Sequence, residues 1–149
     1  MKTPLQSRPV LVDAGDGERV NVIGDQQTIK LNGAQTGGAF AMIEQTYRPG
    51  GGVPLHFHTQ EDAVFYIVEG HMDFVVGGKD ISAHAGSTVL LPRAVAHSSK
   101  AGPQGAKALV VLFPAGGENM FRELDALSGG ETDFNQVTGV CKRYGVHFV

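Results

Sequence analysis

The sequence predicts an all-β protein, an antiparallel sandwich or barrel followed by a helical segment, and three observations carry that reading. Short β-prone segments recur between turn residues from Val20 to Pro114, with no helical periodicity among them. Glycine is abundant at 21 residues while tryptophan is absent, a composition suited to tight turns between short strands. Beyond Pro114 the apolar spacing becomes helical.

Residues 1–20 mix Pro4, Pro9 and charges with the apolar piece PVLV, and read as an N-terminal arm or edge strand. Residues 21–115 hold the strands, in VNVIG, QTIKLN, GAFAMIEQTYRPGGG, AVFYIVEG, MDFVVGGKDIS, GSTVLLP and KALVVLFP. Gly77-Gly78 predicts a two-residue hairpin, because both turn positions require positive φ. In AVFYIV the alternation sends Ala63, Phe65 and Ile67 to one face and Val64, Tyr66 and Val68 to the other. Both faces are apolar, so this strand belongs inside a sandwich or in a barrel covered by a second layer or subunit, and a homodimer is expected. Residues 116–149 form a helical extension packing on the barrel. Met120, Phe121, Leu124 and Leu127 share one helix face, Ser128-Gly129-Gly130 ends that helix, and a second short helix closes near Tyr144-Gly145.

A chain of 149 residues is most simply one domain, long enough to bury a core without staples. A net charge of -3 gives no reason to expect nucleic acid or an anionic membrane as partner, which leaves a small-molecule ligand or substrate. No apolar run approaches the roughly 20 residues that span a bilayer. The lone Cys141 cannot form an internal disulfide, and the opening MKTPLQSRPVLV lacks the apolar core of a secretion signal, so a reducing cytoplasm is expected.

The chemistry centres on LHFHTQEDAVFYIVEG. On a strand, residues i and i+2 project to the same face, so His56 and His58 form a chelating pair there, whereas a helix would set them about 200° apart. Pro54 disfavours a helix just before them. In AGSTVLLPRAVAHSSK a further strand leads through Pro92 to His97, a third imidazole arriving on another strand.

These residues resemble the cupins, whose barrel carries two sequence motifs. In the first, G-x5-H-x-H-x(3 or 4)-E-x6-G, this chain supplies Gly50, His56, His58 and Gly70; in the second, G-x5-P-x-G-x2-H-x3-N, it supplies Gly86, Pro92 and His97. The flank PAGGENMFRELDAL and the ending KRYGVHFV are similar to small single-domain bacterial cupins described as quercetin dioxygenase-like. The resemblance implies a double-stranded β-helix, the conical cupin jelly-roll barrel. Three positions depart from the motifs: Ala63 stands where the ligand glutamate falls, Ala94 replaces a glycine and Ala101 an asparagine.

Three readings of the site follow. His56, His58 and His97 bind one divalent transition metal (Fe, Ni, Mn, Cu or Zn) as a three-histidine set, as some cupin dioxygenases do. Alternatively a neighbouring acid takes over from residue 63, either Asp62, which a regular strand points to the opposite face, or Glu61, which shares the face of Ala63 but starts roughly 6.6 Å further back. Only a bulge or an irregular strand start brings either in, and either one then becomes the candidate catalytic base. In the third reading the site is empty and the histidines only line a pocket.

By parity, Phe65, Ile67, Met72 and Phe74, with Met42 as a further candidate, either line the pocket, a lining that suits an apolar or aromatic ligand, or are ordinary barrel core. His71, His84 and His147 read as solvated positions, Cys141 has no base nearby in sequence, and Glu118 and Glu123 belong to a helix face. The resemblance implies a metal-dependent, dioxygenase-like oxidoreductase acting on a small enolisable or aromatic substrate. The alternatives are a non-catalytic small-molecule-binding cupin or a cupin isomerase with a degenerate metal site.

Overall fold

A computed structural model describes residues 8–149. The first seven residues of the expected N-terminal arm lie outside the described residues, and residues 8–17 carry no strand or helix. The strands are β1 (Glu18–Val22), β2 (Asp25–Leu31), β3 (Ala41–Tyr47), β4 (Gly52–His58), β5 (Asp62–Val76), β6 (Lys79–His84), β7 (Thr88–Leu91), β8 (His97–Phe113) and β9 (Val146–Phe148). A four-residue α1 (Gly33–Thr36) precedes β3, and α2 (Gly117–Ala126) and α3 (Phe134–Arg143) follow β8. All recorded pairings are antiparallel. This is the curled antiparallel sheet of a jelly-roll barrel.

The curl follows from two long strands that bend together. The first half of β5 pairs β7 on one side and the end of β8 on the other; its second half pairs β6 and the start of β8. The register slips at Ile67/Glu69 and Gly70/Met72. At this bend Gly70 has φ +78° and Gly105 has φ +77°, and a Cβ on Gly70 would meet the Gly105 carbonyl oxygen at 2.3 Å. Only glycine combines that backbone conformation with so close an approach. Beyond the bend, β8 pairs β3 and β4 in turn, which places β3, β2 and β1 in one layer and β4 and β9 in the other.

The alternation expected for β5 is present. Ala63, Phe65 and Ile67 are buried, while Tyr66 and Val68 on the other face are exposed. The Gly77-Gly78 hairpin forms with both residues at positive φ, and Val76 pairs Lys79 across it. Gly70 and the hairpin are thus turns that the sequence specifies by residue type.

α2 and α3 fall where helical spacing places them. Met120, Phe121 and Leu124 of α2 and Val137, Val140 and Cys141 of α3 are buried against the barrel. Asp133 caps α3 by accepting from the Asn135 and Gln136 amides, satisfying donors at the helix start. Glu118 is buried and accepts from the amides of Gly33 (2.7 Å) and Gly116 (2.6 Å), so this acid fastens the α2 entrance to α1. Among the described residues no helix is long and apolar enough to cross a membrane.

The ending does more than pack on the barrel. After Gly145, itself at φ +77°, β9 joins the sheet beside β4 and pairs Phe148 with His56 and Val146 with His58. The α1 turn and β9 are elements that the sequence reading leaves out.

In the loop before β8, Ala94 has φ +65°, a left-handed backbone at the position where the second motif carries glycine. Its amide donates to the His58 carbonyl at 2.7 Å, so the loop cannot relax without releasing β4. The left-handed region costs an alanine roughly 1–2 kcal/mol, partly offset by the greater chain entropy that glycine loses on folding. Ala94→Gly is therefore expected to stabilise the fold by about 0.5–1 kcal/mol. Urea unfolding midpoints of the two proteins check this, and a less stable glycine variant contradicts it.

Candidate metal centre

β4 brings His56 and His58 to one face, as the period of a strand requires. His97 opens β8 and pairs directly with His56. The three imidazoles converge, with ring centroids 5.1 Å apart for His56–His58, 4.3 Å for His56–His97 and 5.4 Å for His58–His97. One ring nitrogen from each lies within 4.8 Å of the others.

Hydrogen bonds assign those nitrogens. His56 Nδ1 faces the Pro54 carbonyl at 2.6 Å, His97 Nδ1 faces the Val95 carbonyl at 3.3 Å, and His58 Nδ1 faces Glu61 Oε1 at 2.6 Å. Carbonyl and carboxylate oxygens accept only, so each Nδ1 carries the proton and donates. In the neutral rings each Nε2 keeps its lone pair, the state a metal-binding histidine needs. His56 and His97 are each 6 % exposed. Burial, aided by charge repulsion from the neighbouring histidines, pushes both imidazoles down to about 4. Three nearby imidazoles, each oriented by a hydrogen bond at Nδ1, fit a divalent transition ion.

The same burial sets a pH dependence. The unfolded chain takes up these protons near 6.5 and the folded chain only near 4, so protons favour unfolding across that window. Stability of the metal-free protein is then fully present above about 6.5 and is lost as pH falls toward 4, by an amount of order 3 kcal/mol at most for each group. Thermal melts of metal-free protein between these limits check this against a His56→Gln/His97→Gln double variant, which should lose less stability on acidification. Equal losses contradict it.

The two acids next to Ala63 part company. Asp62 opens β5 facing outward, where Arg93 donates to it from its amide at 2.8 Å and from its guanidinium at 3.1 and 3.3 Å. That hydrogen bonding holds its carboxyl below the usual carboxylate range. Asp62 thus pins the loop that delivers His97 and does not enter the histidine cluster. Glu61 takes the other course. A two-residue bend at Thr59 and Gln60 precedes β5, and the irregular start buries Glu61 to 5 % exposure against His58. It meets the protonated side of the ring rather than the nitrogen free for a ligand. Gly117, at the start of α2, lies over it; a Cβ there would come 3.6 Å from Glu61 Oε1.

A carboxylate on the far nitrogen of a metal-binding histidine raises its basicity and fixes its ring, and losing such a partner typically costs 10–100-fold in metal affinity. Glu61→Ala is expected to show a loss of that size in competition with a chromophoric chelator, while Glu61→Gln, which keeps an acceptor oxygen, recovers part of it. Unchanged affinity in Glu61→Ala contradicts the role.

Phe65 and Phe74 stand edge to face in the interior with centroids 5.4 Å apart. Phe74 is paired with Ser99 and is thus the diagonal neighbour of His97 on the strand beside it. Ile67 and Met72 show no exposure at all and are packed core rather than reachable wall. Met42 faces the opposite way: its neighbours Ala41 and Ile43 are fully buried, and Met42 is half-buried on the outer surface of β3. Sequence reasoning missed two apolar neighbours, Val76 directly opposite His97 and Phe148 with its ring 5.6 Å from His56. Alternation along β5 could have found the first.

Away from the cluster, His71 bonds Asp73 at 2.7 Å and Ser82 at 3.0 Å on the surface of the β5–β6 hairpin, and His147 stacks on Phe57. Cys141 is buried, and desolvation pushes its thiol up, away from the reactive thiolate.

Comparison with known proteins agrees with this architecture. The family profile described as "Cupin domain" matches residues 43–113, spanning both histidine segments. Quercetin 2,3-dioxygenase of Bacillus subtilis is 28% identical over 117 residues, which are 78% of this chain and 34% of the relative; this chain thus spans about a third of that protein's length. Among solved structures, KdgF from Halomonas sp. superposes with a TM-score of 0.67 at 15% identity, covering 75% of this chain and 99% of the other. An RmlC-like cupin from Shewanella frigidimarina gives 0.65 at 20% identity, covering 77% and 99%. The chain thus has the cupin jelly-roll fold, matches the cupin domain profile over residues 43–113, and gathers the histidines of both motifs into one cluster.

Proposed function

We propose that this cupin binds one divalent transition metal through His56, His58 and His97 and acts as a metal-dependent, dioxygenase-like oxidoreductase on a small enolisable or aromatic substrate. The observation that carries the reading is the set of three imidazoles turned together, each with Nδ1 engaged by an oxygen acceptor and Nε2 free. The bound ion supplies Lewis acidity and, for a redox-active metal, electron transfer between substrate and oxygen. Ala63 offers no carboxylate, so three neutral ligands leave the full positive charge of a divalent ion uncompensated and favour an anionic, chelating substrate such as an enolate.

The residues of the chain orient and desolvate. Pro54, Val95 and Glu61 hold the three rings through Nδ1. Val76, Phe74 and Phe148 make the surroundings apolar, and the aromatic pair Phe65–Phe74 suits an apolar or aromatic ligand better than a sugar. Glu61 is engaged with His58, so proton removal from a substrate by Glu61 would require that bond to open. A cytoplasmic setting fits the buried free thiol of Cys141.

Similarity to a quercetin dioxygenase over a third of its length supports the oxidoreductase reading. The second reading, a small-molecule-binding cupin without turnover, is favoured by Ala63 at the motif's acidic position. Oxygen consumption by metal-loaded protein offered flavonols and β-diketones separates the two. The oxidoreductase reading expects metal-dependent uptake that disappears in His97→Ala; bound metal and bound ligand with no uptake overturns it in favour of binding alone.

A further inference from the structure

A second group of metal-ligating side chains lies outside the barrel, on the outer face of the β5–β6 hairpin. Alternation along β5 turns Met72 and Phe74 into the core, so His71 and Asp73, of the opposite parity, point outward. The register of the hairpin then sets His84 directly opposite His71 and Ser82 directly opposite Asp73. The two imidazoles meet edge to face with centroids 4.6 Å apart, and His71 Nε2 stands 2.7 Å from Asp73 Oδ1. Ser82 Oγ lies 3.0 Å from that same nitrogen and 2.9 Å from that same oxygen.

Hydroxyl, imidazole and carboxylate are the parts of a nucleophilic triad, and the geometry excludes one. A triad histidine meets its acid through one ring nitrogen and its serine through the other, whereas both partners meet Nε2 of His71. The arrangement offers chelation instead. Ligand atoms about 2.0–2.2 Å from a zinc ion stand about 3 Å apart, close to the present separation of Nε2 and Oδ1. The proton on Nε2 is no obstacle, because a neutral imidazole can carry it on Nδ1, which makes no hydrogen bond among the described residues.

We infer that His71, Asp73 and His84 form a second divalent-metal site, taking Zn(II), Ni(II) or Cu(II) at the surface through two imidazoles and one carboxylate. Imidazole suits these ions. Directly opposed residues on paired strands have Cβ atoms about 4.5–5.5 Å apart, so the sheet itself holds both histidines within reach of one ion. Among the described residues only the barrel histidines already stand as a set of three within 4.8 Å, so His84 has to turn to complete the surface set. Nothing hinders that turn: His84 is exposed, on a strand that pairs only β5. The side chains of His71 and Asp73 are 34 % and 63 % exposed, so this site is open to water, binds more weakly than the barrel centre and empties on dialysis. When filled, it ties the two strands of the hairpin together.

Calorimetric titration of the full chain with Zn(II) in a buffer that does not chelate tests the inference, comparing wild type with His71→Gln, His84→Gln and His97→Ala. Both hairpin positions lie on the surface, and circular dichroism confirms that the variants fold. The expected wild-type result is a weak class of zinc site besides the barrel ion. Its dissociation constant should rise at least about 10-fold in each hairpin variant, since even the loss of a ligand's neighbour costs that much. His97→Ala should keep the weak class unchanged. A wild type that takes up no zinc beyond the barrel ion, even in large excess of metal, overturns the inference. So does a weak class that neither hairpin substitution moves. A chain that shows the weak class alone, lost in His84→Gln, supports the surface site while contradicting the three-histidine centre.

Discussion

His97→Ala is expected to lose the metal altogether: from about one ion per chain to none that survives dialysis, with oxygen uptake lost in step. Removing a neighbour of a metal ligand costs 10–100-fold in affinity, and removing one of only three protein ligands costs more. The replacement leaves the Val95 carbonyl without its partner and a small void beside Val76, a penalty of about 1–2 kcal/mol that the fold should survive. Circular dichroism separates loss of metal from loss of fold. Elemental analysis after dialysis reads the first, and retention of stoichiometric metal with full activity in the variant contradicts the assignment of His97.

Gly70→Ala should produce the largest change in stability. The residue sits at φ +78°, where an L side chain costs roughly 1–2 kcal/mol, and its Cβ would press into the Gly105 carbonyl at 2.3 Å. Backbone has to move on β5 or β8, and forced shifts of this kind add about 1–3 kcal/mol. A total near 3 kcal/mol lowers the melting temperature of a domain this size by about 10 °C. Because the bend joins the halves of the two strands that carry both layers, metal affinity should weaken as well. A variant melting within 2 °C or so of wild type contradicts this account of the bend.

How much of this was legible in the sequence depended on periodicity. The HxH pair, the inward and outward faces of β5, the Gly77-Gly78 hairpin and the apolar face of α2 all follow from the spacing of one segment read alone. Met42 shows where spacing runs out. In GAFAMIEQ both parities are apolar, Ala41 and Ile43 against Phe40 and Met42, and the pairing of β3 with β8 decides which faces in. β9 is three residues long, and its strand character comes from β4, some ninety residues earlier in the chain.

Glu61 is the instructive case. Regular geometry from Ala63 places it too far back to replace a ligand at residue 63, and an irregular strand start is the condition for its approach. The bend at Thr59 and Gln60 meets that condition, yet it turns the carboxylate onto His58 Nδ1. No acid thus takes the place of residue 63 in the histidine cluster; an acid two residues earlier orients His58, a candidate ligand, instead. The outcome depended on loop geometry, which no periodic pattern encodes.

Metal content per chain tests the three-histidine centre most directly, measured on untagged protein purified without chelator and without added metal. About one transition-metal ion per chain is the expected result. Negligible metal that stays negligible after incubation with Fe(II), Ni(II), Mn(II) and Zn(II) would contradict it, and would mark the cluster of His56, His58 and His97 as the wall of a binding pocket.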